Sequence, residues 1–325
     1  MPGKRSFSSR RGGARDPIKG GAPPTGIHRS LDGGASLKSL DPAAARWIGA
    51  LIRISSPHPA MTRILDVIER LQDRPFRTNF LLLGEPGTGK EGLARAFHQL
   101  GSTAGPLVRL DVAGFPEEEA LAVLCGRGRD GGAAEAAHQG TLLIEEVATL
   151  PPRVQEALLR LLKSGRCRRV GERKDLPHKL EVNAVSLSDQ DVDVAVAAGK
   201  LRQDLYYRLA RVVLWLPPLR ERTDDIGPAA VWMGNRILAA ARVPLELRSS
   251  ADLRNAPAGE KARAVELAPD AVLALKAHPW PGNFRELETA LERALLLYRS
   301  GSRIGAAEIE AALAPARPST AKTRV

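Results

Sequence analysis

Cysteine is scarce, with only Cys125 and Cys167 in 325 residues. Two thiols cannot make a disulfide framework, and neither sits in a CxxC or Cys/His spacing that would hold structural zinc. They read as reduced thiols of a cytoplasmic protein. Long apolar runs are missing as well. The longest candidates, such as 212–216, stop far short of the ~18 residues a membrane helix needs, which excludes a spanning segment. Arg10-Arg11 has the look of an export signal, yet no apolar stretch follows it, so export is not expected. What is present is a 43 % hydrophobic fraction, with aromatics only 4 %, in a length that suits about two domains. That apolar content excludes a wholly disordered chain.

The formal charge of +11 is unevenly spread. Residues 1–41 hold eight Gly, four Pro and six Ser, with eight Lys/Arg against three Asp. Such a segment cannot bury enough apolar surface to offset its ordering entropy, so 1–41 is expected to be a disordered basic tail. Residues 314–325 add three cations and no acid, a second basic tail. The body, 42–313, carries only +3. The tails suit loose attraction to a polyanion, or simply solubility.

Along the body, apolar spacing predicts helices over 60–71, 91–100, 117–124 and 154–162. Short apolar runs predict strands at 79–83, 107–112, 141–144, 180–187 and 212–216. This alternation implies an α/β fold with a parallel sheet flanked by helices. After Asp225-Ile-Gly-Pro228 the strand signal stops, and 229–313 reads as helices only. Residues 248–265 are polar and read as a flexible insertion. The expected division is 42–226 for an α/β nucleotide-binding domain and 227–313 for a small all-helical domain.

Gly84-Glu85-Pro86-Gly87-Thr88-Gly89-Lys90 fits the pattern G-x-x-x-x-G-K between an expected strand and an expected helix. Glycines let successive N–H groups turn toward phosphate oxygens, and the following helix adds its partly positive N-terminus. Lys90 would bridge the terminal phosphates. The next residue is Glu91, where most such loops place Ser or Thr against magnesium. A second motif, Leu142-Leu-Ile-Glu145-Glu146, sends two carboxylates out at a strand's C-terminal end, where open parallel sheets bind ligands. Glu145 is expected to face hydrated Mg2+, and Glu146 to polarise an attacking water. Asn283 and Glu286 read as a capping box, which puts Arg285 in a first turn. A cation there opposes the helix dipole, and that suggests a phosphate ligand. Leu287, Leu291, Leu295 and Tyr298 behind it read as core, and Trp232 and Trp280 as packing residues.

Five stretches together resemble the AAA+ ATPase module of bacterial sigma-54-dependent transcription activators. They are Gly84–Glu91, Gly140-Thr-Leu-Leu-Ile-Glu-Glu146, Arg202-Gln-Asp-Leu-Tyr-Tyr-Arg-Leu209, Leu216-Pro-Pro-Leu-Arg-Glu-Arg222 and Trp280-Pro-Gly-Asn-Phe-Arg-Glu-Leu287. The resemblance covers roughly residues 57–300. It implies a P-loop AAA+ sheet with a helical lid, ATP with Mg2+ between subunits of a ring, typically a hexamer, and ATP-driven remodelling of a protein partner such as an RNA polymerase sigma factor. It implies that Gly84, Glu85, Pro86, Gly87, Thr88, Gly89, Lys90 and Glu91 hold the nucleotide. Arg202 and Arg208 would reach into the neighbouring subunit's site, and Arg285 would serve as the lid's sensor.

The chain departs from that pattern in three places. The Gly-Ala-Phe-Thr-Gly-Ala loop that contacts the sigma factor is missing between Cys125 and Ala133. Asp111 and Asp189 stand where the family has Asn, so Asp111, Glu145, Glu146 and Asp189 are expected to crowd one anionic nucleotide, raising at least one carboxyl pKa. Residues 314–325 are too few for a helix-turn-helix, so no dedicated DNA-binding module is expected. The alternative to an active ATPase is a nucleotide-binding partner subunit with little hydrolysis. A small-molecule kinase is the weaker third reading, because it explains neither Arg202 with Arg208 nor the 280–287 motif.

Overall fold

The computed structural model describes residues 27–29, 56–73, 77–101, 104–261, 263–299 and 301–314. Its main sheet has six strands: β1 (Ile27–Arg29), β2 (Phe80–Leu83), β3 (Leu107–Leu110), β4 (Thr141–Ile144), β5 (Asn183–Ser188) and β6 (Val212–Trp215), in spatial order β1-β3-β4-β5-β2-β6. All pairs are parallel except β1 with β3. β1 corrects the expectation that 1–41 lacks structure throughout, since its three residues extend an open sheet edge. The other residues of that expected tail, and 315–325, lie outside the described residues.

Strict alternation buries the sheet on both faces. Leu81, Val108, Leu142, Ile144 and Ala184 face one side, against α3 (Glu117–Cys125), α4 (Pro152–Ser164) and α5 (Gln203–Leu209). Phe80, Leu82, Leu143, Val185 and Leu187 face the other, against α1 (Pro59–Asp73) and α2 (Lys90–Leu100). Each buried Leu or Phe contributes roughly 1.5–3 kcal/mol. Cys125 and Cys167 are buried free thiols in the first of these layers.

A separate core follows β6, built from α6 (Ile226–Ala240), α7 (Pro269–Ala277), α8 (Asn283–Arg293) and α9 (Ala306–Leu313) around Trp280, Leu247, Leu267 and Ile309. This part is not helical throughout. β7 (Glu246–Ser249), β8 (Ala264–Leu267) and β9 (Arg303–Ile304) form a parallel sheet in the order β9-β8-β7. Segment 248–265 is therefore structured, its two strands joined by short helices Ser250–Asn255 and Ala258–Lys261. No apolar run marks these strands: Glu246–Ser249 and Arg303–Ile304 hold one apolar residue each, and in Ala264–Leu267 Glu266 interrupts the three buried apolar side chains. α8 ends in a π-helical turn, Ala294–Tyr298, which keeps Leu295 buried and turns Tyr298 outward at 46 % exposure, against the expectation of a core tyrosine.

Candidate functional site

β5 lies between β4 and β2, and that order builds the site. The loop after β2 carries Lys90, the end of β5 carries Asp189, and the end of β4 carries Glu145 and Glu146. Adjacent parallel strands bring the three ends to one edge, beneath the α8 turn. There a cleft of about 580 Å³ is lined by Gly87, Thr88, Lys90 and Glu91 from the loop and α2, Glu145, Glu146 and Asp189 from the strand ends, and Arg285 from α8. Its far wall is apolar, with Met61, Ile64, Leu216, Trp232 and Met233. Trp232 thus lines the cleft, with the Arg236 guanidinium 4.8 Å above its ring, and is more than a packing residue.

The P-loop turns on glycines at positive φ, Gly84 (+150°) and Gly87 (+79°). A Cβ on Gly84 would meet the Leu216 carbonyl at 2.6 Å, and one on Gly87 the Gly282 carbonyl at 2.4 Å, so no side chain fits at either. Partners outside the loop hold its carbonyls. Lys90 Nζ donates to the Gly84 carbonyl and to that of Glu85 (3.1 Å). Asn283 Nδ2 donates to Pro86 (3.0 Å), the Phe284 N–H to Gly87 (3.0 Å), and Arg222 Nη2 to Thr88 (2.9 Å). With its carbonyls held in this way, the loop can offer N–H groups to an anion. Gly89 caps α2 in a left-handed conformation without a side-chain cap, which leaves the helix terminus for a ligand.

Burial lowers the Lys90 pKa, and the neighbouring Glu146, Asp189 and Glu145 charges partly offset it. Glu146 adopts φ 45°, ψ 59°, a left-handed conformation rare for a side chain of its kind. Its Oε2 accepts the Asp189 N–H at 3.1 Å. Burial first, then the contact with the Asp189 carboxyl, pushes Glu146 up to about 7. The acid cluster is thus real between Glu146 and Asp189. Asp111, however, does not line the cleft. Arg109 stands between it (3.5 Å) and Glu145 (3.1 Å) and neutralises part of the expected acidity. Burial still raises Glu145.

Magnesium takes one or two carboxylates alongside phosphate oxygens and water. Glu145 and Glu91 supply two carboxylates at the cleft wall, so the donor set fits, although among the described residues no three ligating side chains cluster. Arg95 holds Glu91 at 2.8 Å.

Other expected residues lie elsewhere. Gly84 and Glu85 are outside the cleft lining, and the Glu85 carboxylate is held by Arg220 (2.8 and 2.5 Å) and Asn283 (3.2 Å). Arg208 is on α5 and Arg202 is the residue that precedes it, both outside the lining of their own chain's cleft. The exposed Arg202 guanidinium pairs with Asp204 at 3.0 Å. The capping box is half right. Glu286 accepts the Gly282 N–H at 2.8 Å, but the fully buried Asn283 spans chains of contact instead, accepting the Leu219 N–H at 2.7 Å while reaching the P-loop. Arg222, 4 % exposed and 4.7 Å from the Phe284 ring, is a second strut that local sequence reading did not find.

The chain matches the model described as the Sigma-54 interaction domain over residues 54–215 and the AAA+ ATPase lid domain over 250–325. It is 35 % identical to the response regulator protein FleR of Pseudomonas aeruginosa, over 75 % of this chain and 49 % of FleR. It is 34 % identical to the Nif-specific regulatory protein of Azotobacter vinelandii, over 75 % of this chain and 44 % of that protein. The chain spans about half the length of these curated relatives. Among solved structures, NtrX of Brucella abortus matches in complex with ADP (TM-score 0.66, 30 % identity, 85 % of this chain, 59 % of NtrX) and with ATP (0.65, 32 %, 82 %, 57 %).

Two outcomes follow from this geometry. Asn283→Ala leaves the buried Leu219 N–H without a partner, at about 1–3 kcal/mol, and releases the carbonyl of the exposed Pro86 to water. Urea unfolding should show that loss, and calorimetry should show weaker ATP binding. The Glu146 carboxyl is raised, so its stabilising protonated state is complete at low pH and is lost as pH rises through about 7. In chelator, without nucleotide, the melting temperature should fall from pH 6 to pH 8 (about one unit on each side of that value), and Glu146→Gln should flatten the fall.

Proposed function

Because the chain belongs to the AAA+ ATPases that carry the sigma-54 interaction domain, we propose that it binds ATP in the cleft and hydrolyses it to remodel a protein partner in transcription regulation. The observation that carries this reading is the convergence of Lys90, Glu146 and Arg285 on one cleft between the sheet edge and α8. We read 42–226 as the nucleotide-binding domain and 227–313 as its lid.

In this reading the triphosphate lies along the N–H face of the P-loop. The apolar wall around Met61 and Trp232 takes the base. Lys90 moves from the loop carbonyls to the phosphates, where its ammonium offsets their charge. Magnesium, with Glu145 and Glu91 on its protein side, supplies further charge neutralisation when bound. Ionised Glu146 orients a water and takes its proton; its environment sets a value near neutrality, which suits a general base. Arg285 contacts the phosphates from the lid, so lid position and nucleotide state are linked. Arg202, just before α5, and Arg208, on it, stand outside their own cleft and act on the neighbouring subunit's nucleotide in a ring, and a trans arginine is worth about 10³–10⁵ in rate in related systems.

The sigma contact is a separate matter. Where the resembling activators carry their contacting loop, this chain has only the two-residue strands Gly126–Arg127 and Asp130–Gly131. We propose that it does not open sigma-54 promoters in the usual way. Mixed with sigma-54 holoenzyme, promoter DNA and ATP, the chain should give no open complex above background; robust opening would refute this.

Steady-state ATPase measured against protein concentration, beside sizing with and without ATP, tests the shared site. The specific rate should rise cooperatively as larger species form. Arg202→Ala should keep nucleotide binding and lose about 10³-fold or more in kcat. A non-zero specific rate independent of concentration would refute the shared site, and no hydrolysis with binding retained would favour the non-hydrolysing partner subunit.

A further inference from the structure

Away from the cleft, two loops share one face. The first is the ribbon of Gly126–Arg127 paired antiparallel with Asp130–Gly131. The second, 165–180, folds back on itself, the Leu176 N–H donating to the Cys167 carbonyl (2.9 Å) and the Leu180 N–H to the Gly165 carbonyl (2.8 Å). They are stitched together: the Val170 N–H donates to the Gly126 carbonyl (2.9 Å), and Arg169 Nη1 to the Gly128 carbonyl (2.9 Å). Each loop turns at a glycine of positive φ, Gly128 (+56°) and Gly171 (+86°), with open space where a Cβ would stand.

These 22 residues hold eight Lys/Arg against three Asp/Glu, an excess larger than the +3 of the entire 42–313 body. Some of the arginines are structural. Arg169 binds Glu135 through two bonds (2.8 and 2.6 Å), Arg168 binds Asp175 (3.2 Å), and Arg127 binds Glu118 (3.1 Å). Those pairs fix the scaffold. Arg129, Arg166, Arg173, Lys174 and Lys179 are exposed and have no carboxylate partner among the described residues. Like charges held on one rigid face repel each other and attract a polyanion.

The composition of the face chooses between polyanions. The buried centre of a protein–protein interface is depleted of charge and combines arginine with a large aromatic or apolar anchor. Neither loop has one: the large exposed hydrophobics of the described residues, such as Val194, Tyr207, Leu273 and Leu297, are all in other segments. A phosphate backbone needs only spaced cations and close approach, which bare glycine turns permit. Neither loop contains Phe, Tyr or Trp, so there is no aromatic platform for the stacked bases of a single strand. We propose that this ribbon-and-loop face binds the phosphate backbone of duplex nucleic acid without reading its sequence. None of its residues lines the nucleotide cleft, so the proposal does not depend on the ATPase reading.

Fluorescence anisotropy on the full chain with a labelled duplex of about 20 base pairs, titrated across about 50–200 mM salt, tests it. Arg129→Glu/Arg173→Glu/Lys174→Glu is compared with Arg10→Glu/Arg11→Glu/Arg15→Glu, which changes net charge equally but in the N-terminal segment. The face variant should weaken binding at least about tenfold and reduce the slope of log K against log salt by about 2.7, three lost phosphate contacts at about 0.9 each. The N-terminal variant should change both much less. Melting temperature and ATP affinity serve as fold controls, and Gln replacements at the same three positions stand in if charge reversal unfolds the chain. Equal losses in both variants, or a loss confined to the N-terminal one, would overturn the proposal. So would unchanged duplex binding with loss of poly-glutamate binding, which would assign the face to an acidic protein, and so would more than tenfold preference between unrelated duplex sequences.

Discussion

The P-loop keeps its shape because its carbonyl oxygens are claimed by groups of three neighbouring elements. Lys90 takes those of Gly84 and Glu85, Asn283 that of Pro86, Phe284 that of Gly87 and Arg222 that of Thr88. A peptide group is polar at both ends, and neither end is left unpaired cheaply. Holding one end in place orients the other. The glycines allow this turn but do not enforce it; the enforcing groups come from the start of α2, from the segment after β6 and from the first residues of α8. Those three elements meet only because α8 and its turn dock on the sheet edge.

Much of this was legible in the sequence, and the limit has a physical cause. The strands of the main sheet and the P-loop are local patterns, read from short apolar runs, an abrupt stop at Gly84 and a phosphate-binding spacing. Glu145, Glu146 and Asp189 could be placed together because parallel strands end at a common edge. Asn283 could not be read correctly. Its local signal is a helix cap, and only the fold brings Leu219 and Pro86 within 3.0 Å of its amide. Arg109 was missed for the same reason: an arginine inside an apolar strand announces nothing until Glu145 and Asp111 appear beside it. The lid strands escaped because Glu246–Ser249 and Arg303–Ile304 hold one apolar residue each, too few to make the run that marks a buried strand.

The electrostatics of the cleft are more balanced than a count of its acids suggests. Arg109 stands by Glu145, while Glu146 and Asp189 lean on each other beside the buried ammonium of Lys90. The outcome is one carboxyl near neutrality in an otherwise compensated site. Its left-handed backbone adds to the cost of holding it there, and strained positions of this kind concentrate where a side chain must be aimed.

The Trp280–Asn283 turn gives this arrangement a further property. Both end residues have positive φ, 49° and 51°, and Trp280 is wholly enclosed with its indole N–H on the Leu275 carbonyl at 2.7 Å. A bulky residue does not hold that backbone unaided. The turn is therefore latched at one end by the hydrophobic interior and at the other by Asn283 on the P-loop. Releasing the Asn283 end would remove one restraint on this unfavourable backbone while the indole stayed anchored, so the resting shape of the P-loop and the backbone that opens α8 are tied through a single amide side chain.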